Sequence, residues 1–134
     1  MVSPKFHYVT VQLQKADIPA NATTDLTLPG GNAGLKVPEG YEFVPFLVQG
    51  SLNDFPTAGT AVFKVTVDGE EISPGPEANL SDTVQAAVDV IRVGSIAGIP
   101  AGSVVGVSVT TSADFAAETL DADGILIGLM KPAN

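Results

Sequence analysis

The sequence predicts an all-β fold, an antiparallel β-sandwich of jelly-roll-like type with seven or eight strands. Short runs of alternating apolar and polar residues indicate this class, and β-branched residues are dense within those runs. Glycine and proline turn signals recur roughly every 8–15 residues. The 134 residues fit one domain over 1–134, with residues 1–5 as a flexible arm and 131–134 as a short tail.

The chain up to residue 49 contains three predicted strands and one glycine-rich loop. Residues 8–14 (YVTVQLQ) alternate clearly, residues 22–28 (ATTDLTL) do so less regularly, and residues 29–34 (PGGNAG) form the loop. The inward residues of the first two strands are Val9, Val11, Leu13, Thr24, Leu26 and Leu28. Residues 41–49 (YEFVPFLVQ) are apolar on both faces, which predicts a buried strand. Pro45 lacks an amide hydrogen and therefore marks a bulge or an edge.

Residues 60–67 (TAVFKVTV) are the clearest predicted strand, with Ala61, Phe63, Val65 and Val67 on the inward face. Asp68-Gly69 follows directly, and Glu-Glu-Ile comes after it. This arrangement predicts a hairpin with a type I′ turn. Residues 73–77 (SPGPE) are predicted as a loop.

Residues 81–93 (SDTVQAAVDVIRV) fit two interpretations. A helix would place Val84, Ala87, Val88 and Ile91 on one face, with Ser81 as its N-cap. A strand would place Val84, Ala86, Val88 and Val90 on one face. The density of β-branched residues and the strand-like neighbours favour the strand.

Two further predicted strands follow. Residues 98–111 contain a Pro-Ala-Gly turn and then a strand with Val105, Val107 and Val109 inward. Residues 124–130 (GILIGLM) form the last strand, and Asp123-Gly124 is expected to turn the chain into it. Both faces of this strand are apolar, so it needs a second sheet layer plus a loop, or another subunit. Charged residues make up only 16%, which also indicates an assembly that hides surface.

Composition excludes several classes of partner. There are 15 acidic and 6 basic residues, for a net charge of −9, and the scattered cations form no basic stripe to neutralise nucleic acid. With no cysteine, disulfides and Cys-based zinc sites are excluded. The N-terminal segment lacks the apolar core of a signal peptide, and no segment reaches the length of a membrane span. We expect synthesis in the cytoplasm and no membrane partner.

No residue pattern predicts catalysis or a cofactor. His7 is the sole histidine, and no Gly-x-Ser-x-Gly nucleophile motif accompanies it. The adjacent acids Glu70-Glu71 and the pair Asp121 and Asp123 could act as paired carboxylates on a glycan. The chain has no tryptophan and two tyrosines, however, which is poor material for a sugar-stacking cleft. The glycine cluster lacks the Gly-Lys-Ser/Thr ending of a phosphate loop; its members are Gly30, Gly31 and Gly34.

One acidic cluster is a candidate calcium site. Its members are Asp114, Glu118, Asp121 and Asp123. An EF-hand loop needs glycine at position 6, and here Gly124 comes two positions early, so the cluster is not an EF-hand. A looser calcium site and a solvated acidic corner are the two interpretations left open.

Four segments carry a resemblance to a known family. They are VPEGYEFVPFLVQG (37–50), GTAVFKVTVDGEEI (59–72), IPAGSVVGVSVTTSADF (99–115) and LDADGILIGLM (120–130). In their order along the chain and their general residue pattern they resemble the small all-β capsid decoration, or head-stabilising, proteins of tailed bacteriophages. The resemblance implies a non-enzymatic virion protein, made in the host cytoplasm, that binds the major capsid protein on the outer capsid surface. It also implies self-association as a homo-oligomer, most commonly a trimer.

Two segments are the expected capsid contacts, because each can order on binding. The expected contact residues are Pro4, Lys5 and Phe6 in the N-terminal segment and Gly30, Gly31 and Asn32 in the loop. The alternative function is a receptor- or glycan-binding β-sandwich module of a phage fibre or adhesin. A small β-sandwich hydrolase is a third hypothesis, with the fewest supporting residues.

Overall fold

A computed structural model describes residues 5–53, 59–72, 76–81, 86–90, 98–112 and 120–133. Within these ranges the chain is all-β and forms eleven strands, of which seven have five or more residues and four have two or three. The strands are β1 (His7–Ile18), β2 (Thr23–Asp25), β3 (Leu35–Lys36), β4 (Tyr41–Leu52), β5 (Thr60–Val67), β6 (Glu70–Glu71), β7 (Glu77–Ser81), β8 (Ala86–Val90), β9 (Ile99–Pro100), β10 (Val104–Thr111) and β11 (Leu120–Pro132).

The strands form two antiparallel sheets. The first sheet has the order β1-β11-β4-β8, with β9 also paired to β4. The second has the order β2-β10-β5-β6, with β3 also paired to β10 and β7 to β5. The pairs are nested along the chain: β1 with β11, β2 and β3 with β10, β4 with β8 and β9, and β5 with β6 and β7. A nested antiparallel ribbon divided between two packed sheets is a jelly roll, which confirms the predicted fold class.

The core lies between the two sheets and is built from alternate residues of each strand. The inward residues predicted for β1, β5 and β10 lie on this side, as the burial of Leu13, Phe63 and Val107 illustrates. The largest fully buried side chains include Phe43, Phe63, Ile18, Leu26, Leu80 and Leu126. Both sheets contribute to this set, so neither sheet has a core of its own.

Glycines on the inner face of the first sheet make room for these large side chains. A Cβ at Gly50 would overlap the Phe63 ring, which comes from the second sheet. A Cβ at Gly124 would lie 2.8 Å from Leu26 Cδ1. Inward glycine therefore replaces a side chain where the opposite layer supplies a bulky one.

A bulge interrupts β4 at Pro45, as predicted. Ile127 of β11 pairs with Leu47, whereas the next residue, Gly128, pairs with Pro45. Phe46 is consequently the extra residue of the bulge and has no partner on β11. The bulge changes which side chains of β4 lie on the outer face of the sheet.

The predicted hairpin after β5 is also present. Asp68 has φ 52° and Gly69 has φ 86°, and a type I′ turn requires positive φ at both central residues. The Asp68 side chain adds a contact, because its Oδ1 accepts a hydrogen bond from the Val104 amide at 2.9 Å. The turn is thereby tied to β10.

The beginning of β11 differs from the prediction. Asp123 and Gly124 do not turn the chain; they lie inside β11, where Gly124 pairs with Leu13 on one side and Gly50 on the other. The glycine is needed for packing against Leu26 and not for positive φ. At its other end β11 continues to Pro132, so the tail predicted from residue 131 is shorter.

Two other predicted segments have different bounds in the structure. Glu77 was expected in a loop, but it begins β7, whose Ala78 and Leu80 are buried. In the segment 22–28 the strand itself covers only Thr23–Asp25. The ambiguous segment 81–93 contains the strand Ala86–Val90, which confirms the favoured interpretation there. Residues 82–85 and 91–93 of that segment lie outside the described residues.

Candidate interaction surface

The outer face of the first sheet carries a cluster of apolar side chains, which we call the apolar patch. Its members are Tyr8, Phe46, Leu47, Ile125, Ile127 and Leu129. Tyr8 is 72% exposed, and the other five are half-buried. The register places Tyr8 beside Leu129 and Ile127 beside Leu47, so the patch crosses three adjacent strands.

The bulge in β4 completes this patch with an aromatic pair. The rings of Tyr8 and Phe46 meet edge to face, with centroids 5.7 Å apart and planes at 78°. An edge-to-face arrangement is favourable for aromatic rings, so it holds both side chains on the outer face. Because Phe46 is the extra residue of the bulge, its position could not be deduced by counting alternate residues.

Polar groups border the patch at both ends. Lys131 Nζ and Glu42 Oε1 form an ion pair at 3.0 Å at the Tyr8 end. At the other end Asp123 lies beside Gln14 and Ser51. An apolar centre with a polar rim is the usual composition of a protein interface.

The outer face of the second sheet is different in character. Thr23 and Thr110 share a hydrogen bond between their Oγ1 atoms at 2.8 Å. Glu71 accepts hydrogen bonds there from Ser108 Oγ at 3.3 Å and from Lys64 Nζ at 3.5 Å. These polar side chains of the second sheet bind one another, whereas the apolar side chains of the patch remain partly exposed.

The apolar patch alone is smaller than a complete protein interface. Three strands about 4.8 Å apart and five residues of about 3.4 Å each give a sheet area of roughly 250 Å². A standard interface buries about 800 Å² on each partner. The patch is therefore large enough to be the centre of an interface, with the polar rim and the neighbouring loops supplying the remaining area.

The predicted capsid-contact residues lie at two separate places. Phe6 precedes β1 and is 66% exposed, and Lys5 is also exposed, while Pro4 lies outside the described residues. Gly30, Gly31 and Asn32 are exposed in a turn closed by hydrogen bonds from Gly31 N to Leu28 O and from Leu28 N to Asn32 O, both at 2.8 Å. Gly30 and Gly31 have φ of 124° and 94°, which only glycine adopts readily.

These two places are far apart within one chain. The loop lies near Gln14, since residue 27 pairs with Gln14 and Pro29 lines a groove with it. Phe6 is eight residues earlier along an extended strand, a distance of roughly 27 Å. One copy therefore does not bring the N-terminal segment and the loop together.

The acidic corner is held by hydrogen bonds within the protein. Asp121 Oδ1 accepts from the Asp17 amide at 3.1 Å, and the Asp121 amide donates to Asn53 Oδ1 at 2.8 Å. Lys15 and Asp123 line the same shallow cavity of about 310 Å³. Among the described residues no group of three acids or histidines could hold a metal ion. Asp114 and Glu118 lie outside them, so the calcium site stays a prediction.

The other candidate reactive groups have structural contacts. His7 Nδ1 lies 3.0 Å from Lys5 O, and the His7 ring meets Tyr41 edge to face at 5.5 Å. Glu71 binds Lys64 and Ser108, and Glu70 pairs with Val67 at the hairpin. In the described part of the chain no helix has the length and apolar character to cross a bilayer.

Sequence comparison and structure comparison differ in outcome. No protein-family model matches this chain, and no curated protein matches it in sequence. Among solved structures, the chain is similar to a virus-like particle protein of the extra small virus of the prawn Macrobrachium rosenbergii. That match has 12% identity and a TM-score of 0.49 and covers 100% of this chain and 84% of that chain.

Two further structural matches are of the same strength. The capsid of the Helicobacter pylori bacteriophage KHP30 matches with 14% identity and a TM-score of 0.49, over 96% of this chain and 89% of that chain. The coat protein of tobacco streak virus matches with 12% identity and a TM-score of 0.49, over 100% of this chain and 92% of that chain. At this level of similarity none of the three assigns a function to the chain.

Proposed function

We propose that the protein is a non-enzymatic structural protein of a phage virion that binds the outer capsid surface and stabilises the capsomer lattice. The observation that carries the proposal is the apolar patch on the outer face of the first sheet. A binding protein needs an extended surface of this kind, with many modest contacts spread over it. The proposed partner is the major capsid protein, and the protein would be made in the host cytoplasm and reside on the virion.

The asymmetry between the two outer faces supports this function. Residues Thr23, Thr110 and Ser108 bind polar groups of their own sheet. Ile125, Ile127 and Leu129 instead remain half-exposed, although together they make one side of a strand continuously apolar. Partly exposed apolar residues surrounded by a polar rim are the composition expected at the centre of a protein interface.

Self-association is the second part of the proposal. A net charge of −9 favours solubility, and the charged fraction of 16% is below the usual quarter, which suits a protein that covers part of its surface with further copies. The resemblance to capsid decoration proteins implies a homo-oligomer, most commonly a trimer.

A capsid-binding assay tests the proposal. Purified protein is mixed with intact capsids that lack it and is sedimented with them. The variant Ile127→Glu places a charge in the apolar patch, and we expect at least a tenfold loss of affinity. The matched control is Val62→Glu, because Val62 is a half-buried valine on the outer face of the second sheet. Equal binding by both variants, or no binding by the unmodified protein, would contradict the proposal.

The glycan-binding alternative predicts a different result. Tyr8 is the most exposed aromatic residue described, and Phe46 lies against it. A monomer that binds isolated glycans, and loses that binding in Tyr8→Ala while retaining its fold, would favour a receptor- or glycan-binding module. Sedimentation with capsids together with no response to a glycan panel would favour the capsid protein.

A further inference from the structure

The free edge of β1 presents a row of backbone hydrogen-bonding groups. β1 is an outer strand of the first sheet and pairs with β11 on one side. On the opposite side Gln14 exchanges two backbone hydrogen bonds with Thr27, at 2.7 and 3.0 Å. Alternate residues of a strand direct their N–H and C=O groups to the same side. Tyr8, Thr10 and Gln12 therefore direct theirs to the free edge, where no described residue pairs with them.

This part of the edge lacks the features that normally prevent strand addition. Native edge strands are protected by charges, prolines or bulges. In β1 those features occur at the far end, where Lys15 is charged, the register shifts before Ile18, and Asp17 has φ 55°. Residues 8–13 contain no charge, no proline and no bulge. The open stretch is long enough for a short strand of another chain.

We propose that a second copy of this chain occupies the edge, with the two β1 strands antiparallel about a two-fold axis at Thr10. Tyr8 would then lie opposite Gln12 of the second copy, and Thr10 opposite its own equivalent. Each of the three residue pairs would exchange two hydrogen bonds, about six in total. The edge is self-complementary in this register, and a Thr–Thr pair is a favourable cross-strand neighbour.

A groove next to this edge fits the exposed Phe6 of the second copy. It has a volume of about 210 Å³, and its lining includes Gln12, Gln14, Pro29 and Ile125. A cavity of about 150 Å³ is enough to hold benzene, so this groove can accept a phenyl ring. Thr27 already pairs with Gln14 at this edge, so the strand of the second copy can pair only as far as its own Tyr8, opposite Gln12. The chain of the second copy then leaves the edge, and its Phe6 lies next to the groove.

The pairing also unites the two predicted contact segments. Within one copy, Phe6 and the loop 30–32 are separated by most of the length of β1. Across the two-fold axis, the N-terminal segment of one copy meets the loop of the other. The inference rests on the self-association part of the proposed function, and it replaces the trimer implied by the resemblance with a two-fold pair.

Electrostatics provide a separate expectation for the pair. Each copy carries a net charge of −9, so the two copies repel each other, while the paired residues Tyr8, Thr10 and Gln12 carry no charge. Salt screens the repulsion without weakening an uncharged contact. We therefore expect the dissociation constant to fall severalfold as ionic strength rises from low to physiological.

A single-cysteine experiment tests the register, since the chain contains no cysteine of its own. Residues opposite each other in a hydrogen-bonded antiparallel pair have Cα atoms about 5.5 Å apart, which is within the range of a disulfide. Thr10→Cys should therefore form a covalent dimer under mild oxidation. The control is Thr23→Cys, an exposed strand residue of the second sheet, which should stay monomeric on a denaturing gel.

Solution mass provides the second test. Sedimentation equilibrium should give a dimer for the unmodified chain and for Thr10→Val, which keeps the backbone of the edge unchanged. Thr10→Pro removes the central donor, which faces away from β11, and should give a monomer with an unchanged fold by circular dichroism. Phe6→Ala should weaken the dimer at least tenfold.

A monomeric or trimeric unmodified chain would overturn the inference, as would equal oxidation of the two cysteine variants. Capsid binding is measured separately. A dimer that does not bind capsids refutes the proposed capsid function and leaves the pairing standing. A monomer that binds capsids refutes the pairing and leaves the capsid function standing.

Discussion

Replacing Gly50 by alanine tests the idea that inward glycines make the two sheets fit together. Gly50 lies in the interior strand β4, and a Cβ there would overlap the ring of Phe63 from the opposite sheet. Phe63 is fully buried, so its ring has no solvent side into which it can move. We expect the variant Gly50→Ala to fold with a lower free energy of unfolding.

The magnitude follows from two opposing effects. Adding a methyl group to a well-packed core costs about 1–3 kcal/mol. Alanine in place of glycine also restricts the unfolded chain, which stabilises the folded state by about 0.4–1 kcal/mol. The net loss is about 1–2 kcal/mol, which for a chain of this size lowers the melting temperature by roughly 3–8 °C.

Urea unfolding at one fixed protein concentration measures the effect, because self-association makes stability depend on concentration. Ser51→Ala is the control: Ser51 is the next residue of β4, on the outer face, and its replacement should change stability by less than about 0.5 kcal/mol. Leucine in place of Phe63 is smaller and should relieve the overlap. The double variant Gly50→Ala/Phe63→Leu should therefore lose less free energy of unfolding than the two single variants added together. An unchanged or higher stability of Gly50→Ala, or strict additivity in the double variant, would refute the packing argument.

Three further stability predictions follow from other contacts. Thr111→Val keeps the shape of a buried side chain but removes a hydroxyl that donates to Pro19 O at 2.8 Å; urea unfolding should show a loss of about 1–3 kcal/mol, and no loss would contradict the role of that bond. Gly69→Ala forces a Cβ onto a residue with φ 86° and should cost about 1–2 kcal/mol in the same assay, whereas Gly69→Asn should cost less. Lys131→Met breaks the exposed 3.0 Å ion pair with Glu42 and should cost less than about 1 kcal/mol; a loss that persists at high salt would show that the ion pair is not its cause.

The local alternation of apolar and polar residues was sufficient to predict the strands in which that alternation is regular. The strand Thr60–Val67 has the predicted bounds, and Asp68-Gly69 forms the predicted turn, because both depend on neighbouring residues alone. The two-residue strands β3 and β9 were not predicted. They are stabilised by pairing with residues distant in sequence and carry no periodic pattern of their own.

The location of the apolar patch could not be predicted in the same way. In residues 124–130 both faces are apolar, and hydrophobicity alone would place the branched residues Ile125 and Ile127 in the core. The structure instead directs Gly124 and Gly128 inward, because Leu26 and Phe43 need the space. The alternation of glycine with large residues was the available signal. Tyr8 and Phe46 were missed because their contact depends on the bulge at Pro45.

The pairing of β1 with β11 has a consequence for how the chain reaches its native state. These strands are separated by about a hundred residues of sequence, and β4 also depends on β11 for one of its neighbours. Contacts this distant slow folding, because the loop between them must close before they stabilise anything. During synthesis, β1 and β4 therefore wait with unpaired edges until Leu120–Pro132 has left the ribosome. A chain cut before residue 120 would lack the central strand of its first sheet, and we expect such fragments to aggregate.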